Sequence, residues 1–229
     1  MSTILITGAS GNLGKAVVKR LSQEAYKIIT LDRSLPKGPD SGNELIEKVQ
    51  IDLMDEEGTK ARVKQLINEN PEVDAAILLV GGFAMGGIDE TDLSDIDKMI
   101  GLNFKTAYNM VRPLLPHFLK RPEGGHFILV GARPVMHPGQ GKNMVAYTLS
   151  KSLVFKLADF INAEGKEKSV GATVVVPSVI DTDLNREAMP DADFSTWVPP
   201  ERIADAIAYS LSASGRMTRD TVIKIYNNS

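Results

Sequence analysis

The sequence predicts an α/β fold: a doubly wound parallel sheet of seven strands with helices on both faces. Short apolar runs alternate with helical patterns from one end of the 229-residue chain to the other. The first run, Ile4-Leu5-Ile6, stops at a turn with three glycines, Gly8, Gly11 and Gly14, and a helical pattern follows at once. Strands connected through helices lie parallel, with right-handed crossovers and helices covering both sides. One unit spanning residues 1–229 is the expected domain organisation, because a chain of this length fills one well-packed domain.

Each element has a local reason. The first strand is expected at 2–7, its helix from Asn12 to about Glu24, and the second strand at about 27–32. Pro36, Gly38, Pro39 and Gly42 mark 33–47 as irregular. Lys48-Val49-Gln50-Ile51 reads as a short third strand, and a helix over about 56–70 ends before Pro71. The apolar run 75–80 is a buried fourth strand, stopped by Gly81-Gly82. A glycine-rich loop leads to Ser94, which is expected to cap a helical region reaching Lys120, with kinks at Pro113 and Pro116. His126–Val130 is the fifth strand, 131–143 a loop and 145–164 a helix. Val170–Val176 is the sixth strand, 177–199 a long loop, 200–213 a helix opened by Pro199-Pro200, and Thr221–Tyr226 the seventh strand. In such sheets the ligand crevice lies beyond the carboxyl ends of the strands.

The glycine turn sits at one of those ends. Its spacing, G-x-x-G-x-x-G, also occurs in ordinary tight turns. Following a strand and opening a helix, it lets backbone approach a pyrophosphate, with Ser10, Asn12 and Leu13 between the glycines and the helix N–H groups facing the phosphates. Asp32 lies 18 residues past Gly14 at the end of the second apolar run, where a carboxylate accepts from adenosine ribose hydroxyls. The expected cofactor is therefore NAD (NADH), since Asp32 repels a 2′-phosphate. NADP stays open because the guanidinium of Arg33 can pair with that phosphate.

Tyr147 and Lys151 stand four apart on a predicted helix and share one face. A free phenol titrates near ~10, and a neighbouring ammonium favours the phenolate, so the pair suits a general acid beside a bound nicotinamide. Such a pair also occurs by chance on amphipathic helices.

Composition closes off other classes. A net charge of −3 gives no basic footprint for nucleic acid or an anionic membrane. The absence of cysteine excludes disulfides, a thiolate nucleophile and cysteine-held metal. His117, His126 and His137 lack metal-ligand spacing, so no metal is expected. The first apolar run is too short for a signal peptide and no segment reaches the ~20 apolar residues of a membrane span, so a cytoplasmic address is expected. Asp181 and Asp183 read as loop caps. Met85, Met144 and Met189 fall in crevice loops and read as core filling or pocket lining alike. Trp197 is expected to pack a lid or a subunit contact.

The order and spacing of Gly8–Gly14, Asp32, Asp52, Gly81-Gly82, Asn103 and Tyr147…Lys151 resemble the short-chain dehydrogenase/reductase family along the whole chain. The resemblance implies a Rossmann-type sheet. It places Asp52 and Leu53 by the adenine and Gly81-Gly82 along the cofactor. It gives Asn103 a water in a proton relay and makes Lys151 a ribose ligand. Pro177, Val179 and Thr182 would close over the nicotinamide, with Ser178 in place of the usual glycine. The family's serine after the fifth strand is replaced by Ala132. That replacement, the longer loop after it, the Gly-Gly-aromatic turn and the run from Asp181 to Trp197 resemble a divergent branch, the quinonoid dihydropteridine reductases. The branch usually has tryptophan where this chain has Phe83.

The resemblance thus implies an NADH-dependent oxidoreductase passing hydride to a small-molecule, pterin-like substrate, with Tyr147 as proton donor and Phe83, Ala132, Met144 and Met189 about the substrate. It also implies a homodimer paired through the helices carrying Phe104, Ala107, Tyr108, Val111, Leu115, Phe118 and Leu153, Val154, Leu157, Phe160, Ile161. The alternatives are a reductase of another carbonyl or imine, and a dinucleotide-binding sensor without catalysis.

Overall fold

A computed structural model describes residues 1–35, 43–218 and 222–228. Seven strands form one all-parallel sheet: β1 (Ser2–Thr7), β2 (Tyr26–Asp32), β3 (Ile46–Gln50), β4 (Val73–Leu78), β5 (Gly125–Val130), β6 (Val170–Pro177) and β7 (Val222–Ile225). Their order is β3-β2-β1-β4-β5-β6-β7, so the chain winds outward in both directions from the boundary between β1 and β4. A crevice opens at that reversal, beyond the carboxyl ends. The expected fold class is the one observed. Of the predicted irregular stretch, residues 36–42 lie outside the described residues, as does Thr221.

The helices sort onto two faces. α1 (Asn12–Leu21) packs with α9 (Pro200–Leu211) on one side, burying Val17, Leu21, Ile203 and Ile207 against Ile4, Ile6 and Ile77. α2 (Glu56–Glu69), α4 (Thr106–Lys120) and α7 (Val145–Gly165) cover the other, with Val63, Leu66, Met110, Leu114, Phe118 and Val154 against Leu5, Leu78, Phe127 and Leu129. Central strands buried on both faces read as unbroken apolar runs, which is why they stood out in the sequence.

Several expectations shift. β4 ends at Leu78, because the Leu79 N–H leaves the ladder for the Thr7 hydroxyl at 3.1 Å; Val80 then lines the crevice instead of the sheet. Asp92, not Ser94, caps α3 (Leu93–Ile100): its carboxylate accepts from the Asp95 N–H at 2.9 Å and the Ser94 hydroxyl donates to it at 2.8 Å. The helical region to Lys120 departs from α geometry at a π turn, Gly101–Lys105, upstream of both prolines; Pro113 and Pro116 lie inside α4. The supposed loop at 131–143 holds two short helices, α5 (Arg133–Met136) and α6 (Pro138–Gly141). The long loop 177–199 holds α8 (Asp183–Ala188) and a 3₁₀ turn at Phe194–Thr196. The apolar stripes split: Ala107, Val111, Phe118, Val154, Leu157 and Ile161 are buried in the core, while Tyr108 and Phe160 are exposed.

Candidate active site

The glycine turn is shaped by backbone, not by side chains. Gly8 adopts φ +67°, open to glycine at no steric cost. A Cβ on Gly14 would stand 2.2 Å from the Gly8 carbonyl and 2.6 Å from the Ala9 Cα, so α1 meets the turn too closely for any side chain. Gly11 is the N-cap, with no side-chain cap and no acidic residue in the first turn. The first intrahelical bond runs from the Lys15 N–H to the Gly11 carbonyl, which leaves the N–H groups of Asn12, Leu13 and Gly14 ahead of it. That is a ready anion site at the positive end of the helix dipole.

A cleft of about 230 Å³ continues from this turn, lined by Gly8, Ser10, Asp32, Arg33, Asp52, Leu53 and Val80 among others. Asp32 is buried, and its Oδ1 accepts from the Ser10 N–H at 3.0 Å and the Ser10 hydroxyl at 2.7 Å. Arg33 projects into solvent and pairs loosely with Asp52 at 3.8 Å. Asp52 also accepts from the Met54 N–H, and the Leu53 carbonyl accepts from the Asn109 amide at 2.9 Å, which fixes this wall to α4. Uncapped N–H groups, a glycine cradle and a carboxylate beside a cleft are the donor and acceptor set that a dinucleotide requires, so the residues fit NAD(P). Gly8, Ser10, Gly11, Asn12, Leu13 and Gly14 would hold its pyrophosphate, and Asp32 its ribose.

The second half of the site gathers around Lys151. Its Nζ donates to the Val130 carbonyl at 2.8 Å and the residue is buried. Burial lowers the Lys151 pKa to about 8. Tyr147 is half-buried, and burial pushes its phenol up to about 12. This reverses the expected direction: desolvation of the phenol prevails, and the ammonium is directed at Val130. The edge of Phe83 meets the Tyr147 ring at 5.0 Å with a 70° interplanar angle, and Phe83 itself is 59% exposed.

Asn103 sits buried in the π turn. Its Oδ1 accepts from the Gly82 N–H at 2.9 Å, and its Nδ2 donates to the Gly82 carbonyl at 3.1 Å and to the Ser150 hydroxyl at 2.9 Å. Ser150 in turn donates to the Tyr147 carbonyl at 2.7 Å. A Cβ on Gly81 would stand 2.6 Å from Asn103 Oδ1 and 3.3 Å from Lys151 Nζ, so the glycine turn passes between these two. Asn103 therefore braces the Gly81-Gly82 turn to α7 through its side-chain amide. Ser150 is the link the sequence reading missed; its one signal is its place beside Lys151 and three residues after Tyr147.

Ala132 is buried just beyond β5, where it opens α5. Arg133 lies over the Tyr226 ring at 4.8 Å. Met144 is the N-cap of α7, and a bridge to Gly86 ties it to the loop carrying Phe83 and the 65% exposed Met85. On the far side, Pro177 ends β6 and the Val179 carbonyl accepts from the Val198 N–H at 2.8 Å. The Thr182 hydroxyl, not Asp181 or Asp183, caps α8. Asp181 forms a bidentate pair with Arg186 at 2.6 and 2.8 Å, which holds its carboxyl below the usual range. Arg186 also covers Phe194, which packs on the buried Trp197 within the segment 177–199. Met189 at the end of α8 is partly exposed.

Among the described residues no group of acids and histidines is placed to hold a metal. His126 is buried with its Nε2 at 2.9 Å from the Thr173 hydroxyl, and desolvation lowers its pKa to about 4. His117 faces the Val73 carbonyl. Among the described residues no helix is long and apolar enough to cross a membrane.

The model of the short chain dehydrogenase family matches residues 2–193. A dihydropteridine reductase of Dictyostelium discoideum is 26% identical over 231 residues, 99% of this chain and 95% of that protein. A 3-oxoacyl-[acyl-carrier-protein] reductase of Aggregatibacter actinomycetemcomitans is 21% identical, with 97% of each covered. Among solved structures, a short-chain type dehydrogenase/reductase from Mycobacterium ulcerans superposes with a TM-score of 0.87 at 20% identity, covering 99% of this chain and 89% of that one. ElxO with NADP bound gives 0.87 at 20% identity, covering 98% and 96%. The sheet order, the glycine turn and these matches lead to one conclusion: the chain belongs to the short-chain dehydrogenase/reductase family of oxidoreductases.

Proposed function

We propose that the protein is an NADH-dependent reductase of a quinonoid dihydropterin or a closely similar electron-poor heterocycle. Ala132 carries this reading. It is buried just past β5, two residues after the carbonyl that anchors Lys151, and it offers no hydroxyl. Reduction of a ketone builds negative charge on one oxygen, and losing a fixed donor for that charge typically costs ~10²–10³ in rate. A quinonoid ring spreads the incoming charge over conjugated nitrogens and regains aromatic character, so alanine is tolerated. The exposed ring of Phe83, held against Tyr147, suits stacking on a flat heterocycle. The likeness to a dihydropteridine reductase along nearly the whole chain supports the same reading.

Bound nicotinamide would supply the hydride. Tyr147, fully protonated near neutrality, would donate the proton to a ring nitrogen. Lys151 is charged below about pH 8; it would stabilise the phenolate left behind and hold a ribose hydroxyl. Asn103 and Ser150 would position Tyr147, Lys151 and the Gly81-Gly82 turn. Pro177, Val179 and Thr182 would line the nicotinamide end, and Met144 and Met189 the substrate side. Asp32, fixed by Ser10, favours NAD over NADP. The exposed Tyr108, Leu149 and Phe160 on α4 and α7 support a homodimer, read as a doubled mass by light scattering at micromolar concentration.

The test is the pair of specificity constants. The expected kcat/KM is high for quinonoid dihydropterin and low for simple ketones and aldehydes. Efficient ketone reduction with no pterin turnover overturns the reading, and NADH binding without turnover of either substrate favours a sensor.

A further inference from the structure

A groove of about 670 Å³ lies between α2 and α4, apart from the crevice that holds the catalytic residues. Lys60 and Lys64 line it from α2, and Arg112 and Lys120 from α4. Its apolar surface comes from Ile67, Pro113 and Pro116. Among the described residues no carboxylate lines it, although the chain as a whole carries a net charge of −3.

The cations are spaced four or eight residues apart on each helix, so each set forms a ridge along one edge of the groove. An ion pair between Glu56 and Arg112 links the start of α2 to the middle of α4. Lys60 pairs with Glu57 at 3.0 Å, outside the groove. Among the described residues neither Lys64 nor Lys120 has an ion-pair or hydrogen-bond partner. His117, the remaining titratable group lining the groove, is held toward its neutral form: burial above all, with the nearby Arg121, lowers its pKa against the opposing effect of the Val73 carbonyl that its ring faces.

Like charges facing one another across a concave apolar surface repel, and an anion seated between them relieves that repulsion. The volume falls in the range of small-molecule sites, which combine apolar walls with a few placed polar groups. The geometry points to a second ligand site here, for a small organic anion: a flat apolar body lying on Ile67, Pro113 and Pro116, with a phosphate or carboxylate held by Lys64 and Lys120. The site is independent of the pterin reading; of the proposed dimer contact, Leu149 and Phe160 belong to α7, and Tyr108 of α4 does not line this groove.

The probes are 1-naphthyl phosphate and 1-naphthoate, with inorganic phosphate and 2-naphthol as single-feature controls, measured by isothermal titration calorimetry on the full chain. At least one naphthyl anion is expected to bind saturably, more tightly at low salt, and better than either control. Lys64→Glu/Lys120→Glu should weaken it by about tenfold or more, the equivalent of ~1.4 kcal/mol, with NADH affinity unchanged. Lys64→Gln/Lys120→Gln gives the same readout if the charge reversal disturbs folding. Preference between the two anions identifies the headgroup. The proposal is overturned if neither anion saturates, if the variants bind as the wild type does, or if 2-naphthol binds equally well.

Discussion

Replacing Lys151 with methionine separates what the buried ammonium costs the fold from what it gives the site. In the folded protein desolvation brings its pKa from 10.5 to about 8. The unfolded chain therefore holds a proton between pH 8 and 10.5 that the folded chain releases, and wild-type stability rises with pH across that window. At about 1.4 kcal/mol per pH unit the penalty is about 3 kcal/mol below pH 8 and falls by about 2–3 kcal/mol between pH 7 and pH 10. Methionine removes this penalty while keeping the apolar stem. It also leaves the Val130 carbonyl without its 2.8 Å donor, a loss of ~1–3 kcal/mol. At pH 7 the two effects nearly offset, so the variant should be as stable as the wild type or more stable by up to ~2 kcal/mol. By pH 10 the wild type should have gained about 2–3 kcal/mol on the variant. Urea unfolding followed by circular dichroism at pH 6, 7, 9 and 10 on both proteins gives the difference, and contributions from other titrating groups cancel. A stability difference that stays flat from pH 7 to pH 10 refutes the reasoning, because Lys151 then keeps its ordinary pKa when folded.

Tyr147→Phe keeps the ring against Phe83 but removes the acid, so turnover should fall by ~10²–10⁴ while NADH affinity stays within a few-fold; steady-state kinetics and a fluorescence titration report the two. Ala132→Ser should raise ketone reduction more than it alters pterin reduction, read as the ratio of the two kcat/KM values. NADH should bind more tightly than NADPH, and Asp32→Ser should narrow the gap by about tenfold, ~1.4 kcal/mol of relieved repulsion; an unchanged ratio in a titration removes Asp32 from that role. Gly14→Ala forces a Cβ to within 2.2 Å of the Gly8 carbonyl, so it should cost ~1–3 kcal/mol and weaken NADH binding; an unchanged melting temperature and Kd count against the cradle.

The sequence by itself determined the sheet and the cofactor end of the site. Central strands such as Ile4–Ile6 and Ala75–Leu78 are covered on both faces, so burial wrote them as unbroken apolar runs. The glycine turn was legible because close backbone approach excludes a side chain at Gly14 whatever else surrounds it. Tyr147 and Lys151 were legible because four residues along a helix is a local geometry. Tertiary structure alone decided the rest. The Tyr147 pKa depends on how deeply the phenol is desolvated and on where the Lys151 ammonium finds an acceptor, and that acceptor, Val130, comes from β5, not from α7 itself. Asn103 and Ser150 are 47 residues apart, and nothing local says that they meet. The end of β4 is set by a hydroxyl on β1, and the short helices α5 and α8 are held by contacts beyond their own few residues, Arg133 over Tyr226 and Arg186 over Phe194. Period and composition record what a segment buries. They do not record which distant polar group competes for its hydrogen bonds, and that competition fixes the protonation and geometry of the site.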